Sequence, residues 1–437
     1  MVNINPLIKK QYPQPKRPLR HMNTTSTIDL NTPLTLPCGA SLPNRLVKAA
    51  MSEALGTLDN RMTEGLVRVY QRWAEGGIGL NITGNVMIDR RARAEPGNIV
   101  IEDDRDMPLL KKWAQAGQSK GNKIWVQINH PGKQCPKAMN KETVSPSAIP
   151  FRKDLQMMFG TPRALTEAEI FNIIERWGRA AKICKDAGFD GVQIHGAHGY
   201  LISQFLSPHH NQRTDQWGGN AENRRRFVLA VYDEVRRQVG PEFPVGIKLN
   251  SADFQKGGFS EEESLEVIQA LEARGIDLIE VSGGTYEAPA MTGATGPKKE
   301  STVQREAYFM DFTDKVRKVS KVPLMLTGGF RSLGGMRDAL NNGGVDLIGL
   351  ARSVAIEPGL PNRLLSGSEA LYPVKQLTTG LKAVDSSGLL EIQWYTRQIK
   401  RMAKGKNPVP NEHPILVLIA YLFESGWGLF KARKLRA

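Results

Sequence analysis

Residues 166–195 read TEAEIFNIIERWGRAAKICKDAGFDGVQIH. Within 166–188, Ile170, Ile173, Ile174, Trp177, Ala181 and Cys184 recur at three- and four-residue spacing, which places them along one stripe of a helix. Thr166 followed by Glu169 has the spacing of a capping box, so the helix starts there. The run 190–195 (DGVQIH) is short, nearly continuous in apolar character and bounded by Asp and Gly, the pattern of a strand covered on both faces. A helix that leads into a strand buried on both sides is half of a parallel β/α unit.

The same alternation extends in both directions. The other candidate strands are 46–51 (LVKAAM), 78–83 (IGLNIT), 123–129 (KIWVQIN), 245–250 (VGIKLN), 277–282 (DLIEVS), 323–327 (PLMLT) and 345–350 (VDLIGL). Ser260 with Glu263 opens another capped helix, whose stripe is Leu265, Ile268 and Leu271. Eight β-then-α units in a row predict an α/β protein, a (β/α)8 TIM barrel; the strand count alone leaves a doubly wound open sheet as the alternative. Residues 33–45 (PLTLPCGASLPNR) have the look of an N-terminal hairpin that plugs the lower mouth, with Cys38 and Gly39 near its turn. Segments 130–165 and 196–219 are too long for simple connections and fall on the C-terminal face, where barrels build their sites. The expected organisation is a disordered basic arm over 1–28, in which Met22 is a second candidate start, a barrel over 29–365, and a C-terminal helical extension over 366–437.

Composition narrows the function classes. The chain has 437 residues, 40% of them apolar, enough for a large core. The net charge of +15 sits at the ends. Residues 1–28 carry Lys9, Lys10, Lys16, Arg17 and Arg20 with no acid, and residues 395–437 carry a further excess of cations, so the body is close to neutral. A groove that tracks phosphates needs a basic body, so no nucleic-acid partner is expected. Cys38, Cys135 and Cys184 are far apart and odd in number, which argues against a disulfide framework and fits a cytoplasmic protein. Beyond the helices expected in Leu377–Lys406, which include Trp394 and Tyr395, Pro414–Phe423 (PILVLIAYLF) is apolar but too short to span a bilayer. Ile415, Leu418, Ile419 and Leu422 form its helical stripe, which Val417 and Tyr421 widen, with Lys431, Arg433, Lys434 and Arg436 beyond. We read it as a helix docked on the barrel or across a homo-oligomer, with membrane-surface contact as the alternative.

Two features carry chemistry. His195-Gly-Ala-His198-Gly-Tyr200 lies at the end of the fourth strand, where two imidazoles and a phenol can bond a carbonyl oxygen and deliver a proton. A metal site that also used His209 and His210 is disfavoured, because the spacing is not that of a helical zinc site and no Cys or evident carboxylate completes it. Thr327-Gly328-Gly329-Phe330 and Gly349-Leu350-Ala351-Arg352 follow the seventh and eighth strands, the usual place for a phosphate in a barrel.

The stretch 195–226, beginning HGAHGYLISQFLSPHHNQRTDQWGG, resembles the Old Yellow Enzyme family of flavin-dependent ene-reductases. So do Asn44-Arg45, Gln127, Lys248 and the Gly-Gly and Ala-Arg pairs, and the likeness runs from about residue 29 to 400. It implies FMN held across the strand ends, NADH or NADPH as reductant, and small activated alkenes, α,β-unsaturated carbonyl or nitro compounds, as substrates in a ping-pong cycle. By the same resemblance, His195 and His198 hold the substrate oxygen and Tyr200 is the proton donor. Gln127 and Lys248 bond the flavin's pyrimidine edge, Gly328, Gly329, Ala351 and Arg352 hold its phosphate, and Ala49, Ala50, Met51 and Gly84 pack along the ring. The chain departs from the pattern at three places. Lys248 stands where many relatives carry Arg, Ser52 where one bacterial branch has a redox-tuning cysteine, and Ala50 where proline is frequent. Three scattered cysteines exclude an iron–sulfur relay. An NAD(P)H oxidase using oxygen or quinone, and a phosphate-binding barrel lyase without flavin, are the competing readings; the lyase would want a strand-end Lys or carboxylate set in place of the histidine pair.

Overall fold

The computed structural model describes residues 27–285, 287, 309–342, 344–369, 377–380, 389–421 and 423. Eight parallel strands are laid down in chain order: β1 (Leu46–Lys48), β2 (Leu80–Ile82), β3 (Lys123–Asn129), β4 (Gly191–Gly196), β5 (Val245–Asn250), β6 (Leu278–Ser282), β7 (Leu324–Thr327) and β8 (Leu347–Leu350). Each pairs with its sequence neighbour, and β8 pairs with β1, so the sheet closes. This is the (β/α)8 barrel, and the open-sheet alternative is set aside. The first strand is shorter than the run LVKAAM suggests. Ala49 N–H still bonds Leu350 O at 2.8 Å, but beyond it the chain leaves the sheet and brings Glu53 back onto Lys48.

Two cores result. Inside the barrel, Val47, Ala49, Leu80, Ile82, Trp125, Leu278, Met325 and Leu347 pack with Leu34, Leu36 and Leu42 of the N-terminal hairpin. The hairpin pairs Leu34–Thr35 with Ser41–Leu42 and turns through Cys38-Gly39, where Gly39 takes φ 90°. It plugs one mouth, and Asp277, just before β6, accepts the Cys38 N–H at 2.9 Å. Outside, the helices bury their apolar stripes. Glu167–Asp186 starts at a complete Thr166/Glu169 capping box and buries all six residues of the expected stripe. Glu261–Glu272 is capped the same way by Ser260 and Glu263, but Val267 replaces Leu265 beside Ile268 and Leu271 on its buried side.

The C-terminal helix Leu389–Ala403 lies against the helix Glu64–Glu75, with Trp394 and Tyr395 buried. It is tied to the segment beyond it by Trp394 Nε1–H donating to Glu412 O and by the Arg397–Glu412 ion pair. Residues 414–421 are helical, and the residue that docks is Val417, expected only at the widened edge of the stripe, while Ile415 and Ile419 of its centre stay exposed. Leu422, the cations Lys431–Arg436, the arm 1–26 and Met22 lie outside the described residues. Among the described residues no helix is long and apolar enough to cross a membrane.

Candidate active site

A chain of side chains crosses the inside of the barrel. Gln127 on β3 donates from Nε2 to Gln193 Oε1 on β4 at 2.8 Å, and Gln193 Nε2 donates to Glu280 Oε2 on β6 at 2.8 Å. Glu280 Oε1 pairs with Lys248 Nζ on β5 at 2.9 Å and accepts Thr327 Oγ1–H from β7 at 2.7 Å. All but Thr327 are buried, and the layer is sustained because both Glu280 oxygens, Lys248 Nζ and both ends of the Gln193 amide find partners, while Gln127 keeps its carbonyl uncommitted.

The register then sets the histidines beside that layer. Lys248 is opposite His195 on one side and Glu280 on the other. The His195 ring is 5.2 Å from that of His198 and 4.8 Å from that of Tyr200, edge to face in both cases. His195 Nδ1 accepts Ala197 N–H at 3.3 Å, which leaves the ring proton on Nε2 as a donor. His198 sits in the left-handed region at φ 62°, followed by Gly199 at 76°. Its N–H bonds Asn250 Oδ1, its carbonyl accepts from Gln134, and Nε2 is 2.7 Å from Ser282 Oγ. Burial, then the neighbouring His198 and Lys248, pushes His195 well below the usual imidazole range. Burial and Lys248 lower His198 to about 3. Both rings are therefore neutral near pH 7, hydrogen-bond donors rather than acids.

Around this centre the remaining expected residues divide. Gly328 and Gly329 follow β7 with φ of 98° and 95°, a backbone that side-chain-bearing residues rarely adopt, which leaves bare peptide for an anion to approach. Arg352 follows β8 and shares its guanidinium with Glu391 at 3.2 Å. Ala49 is sealed in the inner core, Ala50 and Ala351 pack against that core, and Met51 packs on the outer one. Gly84 is required by contact, since a Cβ there would lie 2.5 Å from Met51 O.

Several polar residues escaped the sequence reading: Gln193, Glu280, Asn250 and Ser282, and the buried set Lys48, Glu53 and Tyr70. His209 and His210 join neither His195 nor His198. They gather with Glu287, the ligand atoms of the three lying within 4.8 Å of one another, so a carboxylate does complete that group. Lys133 Nζ, however, lies 3.1 Å from His210 Nδ1 and 3.9 Å from Glu287 Oε2, so the group already holds a cation of its own beside the carboxylate. Glu287 Oε1 also accepts Arg152 N–H, so the cluster works as a tie among the loops following β3, β4 and β6.

A phosphate monoester fits the paired glycines and Arg352, and a heterocycle edge with alternating donors and acceptors fits Gln127 and Lys248. Comparison with known proteins identifies the family. Residues 29–370 match the profile of the NADH:flavin oxidoreductase / NADH oxidase family. An NADH-dependent flavin oxidoreductase of Hypocrea jecorina, iliE, is 37% identical over 84% of this chain and 94% of its own length. That of Aspergillus parasiticus, nadA, is 40% identical over 76% of this chain and 78% of its own. The structure of morphinone reductase superposes with a TM-score of 0.68 at 28% identity, covering 80% of this chain and 93% of that one. The chain belongs to the NADH:flavin oxidoreductase / NADH oxidase family, the Old Yellow Enzyme family that its strand-end motif resembles.

Proposed function

We propose that this protein is an FMN-dependent oxidoreductase that takes hydride from NADH and reduces alkenes activated by a carbonyl or nitro group, by a ping-pong cycle. The observation that carries the reading is the pair of imidazoles, His195 and His198, converging with Tyr200 beside Lys248. NADH is preferred over NADPH as reductant because of the relatives' names.

In this reading Gln127 and Lys248 bind the pyrimidine edge of FMN, Gly328, Gly329, Ala351 and Arg352 its phosphate, and Ala50, Met51 and Gly84 line its ring, while Ala49, expected there too, is sealed behind them in the inner core. When bound, FMN supplies the atom that accepts and returns hydride. The protein residues position and polarise. His195 Nε2–H and the His198 ring bond the substrate's oxygen and draw charge from the alkene without giving up a proton. Tyr200 then donates a proton to the carbon next to the activating group.

The test is absorbance of the purified full-length protein, followed by anaerobic reduction with NADH and then addition of an α,β-unsaturated ketone. Flavin bands that bleach with NADH and return with the ketone are expected. Protein that stays colourless after FMN addition overturns the cofactor assignment. Recovery with oxygen but never with an alkene overturns the substrate class in favour of an oxidase.

A further inference from the structure

We propose that Glu280 is a positioning residue of the flavin site, setting both the charge and the hydrogen-bond polarity that Lys248 and Gln127 present to the pyrimidine edge. The inference rests on the placement of FMN proposed for this site.

Polarity comes from the chemistry of a carboxylate, which accepts hydrogen bonds and cannot donate when ionised. Glu280 is fully buried, and Gln193 reaches its Oε2 at 2.8 Å. Gln193 must therefore turn its NH2 to Glu280 and its carbonyl toward Gln127. Gln127 must answer with an N–H, the 2.8 Å contact observed. That leaves Gln127 with its carbonyl and one N–H for a ligand. A flavin pyrimidine edge alternates carbonyl and N–H groups, so it needs both. A neutral amide at position 280 would let the two glutamines turn over together and remove the preference.

Charge comes from the register. Lys248 and Glu280 are directly opposed on β5 and β6 and bonded at 2.9 Å, so Lys248 faces the ligand as half of a compensated pair. Two-electron reduction of a flavin places negative charge on its pyrimidine edge, which a lone cation would stabilise strongly. With Glu280 behind it, the cation stabilises that charge less, and the reduced cofactor remains a better hydride donor.

The experiment measures dissociation constants of oxidised FMN and of chemically reduced FMN, anaerobically, for the full-length protein and its variants. In Glu280→Gln the ratio of oxidised to reduced dissociation constants should rise tenfold or more, and a tenfold change corresponds to about 30 mV for a two-electron couple. The midpoint potential should move positive by at least that amount. Gln193→Leu should weaken both forms about equally, because it breaks the amide chain without removing charge. If Glu280→Gln does not fold, Thr327→Val carries the test. It removes one donor to Glu280 Oε1 and should move the ratio severalfold in the opposite direction. A ratio unchanged from wild type in a folded, FMN-binding variant overturns the proposal. Wild-type protein that binds no FMN overturns the underlying placement, and the inference with it.

Discussion

Lys48 Nζ lies 2.7 Å from Glu53 Oε1, with the two side chains 0% and 6% exposed. The ammonium spends its other donors on Tyr70 OH and Ile82 O, both at 2.9 Å. Glu53 in turn accepts from Tyr70 OH and Gly84 N–H. The pair therefore fastens the segment after β1, which carries Ala49 to Met51, to the end of β2. Removing one partner strands a buried charge. Glu53→Ala should cost about 3–5 kcal/mol in urea unfolding, and Lys48→Met combined with Glu53→Leu should recover much of it. A loss below about 1 kcal/mol for the single variant would show that water relieves the charge.

Arg352 is held in place by Glu391 on the C-terminal helix, at 3.2 Å. Arg352→Ala should weaken FMN binding by about 2 kcal/mol, the scale of a charge-assisted contact to phosphate. Glu391→Gln keeps the guanidinium and should hold FMN at least as well. Fluorescence titration of apoprotein separates the two, and equal losses would make the helix contact, not the phosphate contact, the source of affinity.

His195 and His198 should bind phenolates above the oxidised cofactor, because two donors converge there. Titration with a phenol is expected to give a long-wavelength charge-transfer band that disappears in the double alanine variant. A band that survives that variant places the anion elsewhere.

Tyr200→Phe should separate the half-reactions. Flavin reduction by NADH needs no proton from this phenol and should stay near wild type, while alkene reduction falls by roughly 10²–10⁴. Stopped-flow measurement of each half-reaction checks this, and parallel losses would mean that Tyr200 only supports the fold.

His130, buried at the end of β3, is held down at about 4 by burial, with Asp89 opposing. Its native-state value is below the unfolded one near 6.5, so the unfolded chain takes the proton first as pH falls. The stability is full above about pH 6.5 and is lost as pH drops through about 4, at about 1.4 kcal/mol per pH unit in that window. Thermal unfolding across that window should show a shallower slope in His130→Asn than in wild type. An unchanged slope assigns the acid sensitivity to other groups.

The barrel strands were legible because strands covered on both faces read as largely apolar runs, as 123–129 and 245–250 do despite the polar Gln127 and Lys248 within them. Closure was not, since it depends on β8 meeting β1 across some 300 residues. His195, His198 and Tyr200 stood out because they share one loop. Gln193 and Glu280 did not, although each is a polar residue set in an apolar strand, DGVQIH and DLIEVS. That interruption was the available signal, but their partners lie 66 and 87 residues away, so local pattern could not say whether they faced a site or one another. In the terminal helix, periodicity put Val417 only at the margin of the stripe, yet Val417 is the residue that docks, because docking depends on the surface it meets.

The left-handed backbone at His198 limits what evolution can put there. Side chains branched at Cβ are nearly barred from that region, whereas asparagine enters it about as readily as histidine. Asparagine also offers an N–H to a substrate oxygen. In the proposed site, the second donor could thus be an amide in place of an imidazole at small conformational cost. His195, in extended strand backbone, is under no such restriction. An asparagine at position 198 would therefore leave the barrel as it is and change only the donor that the loop presents.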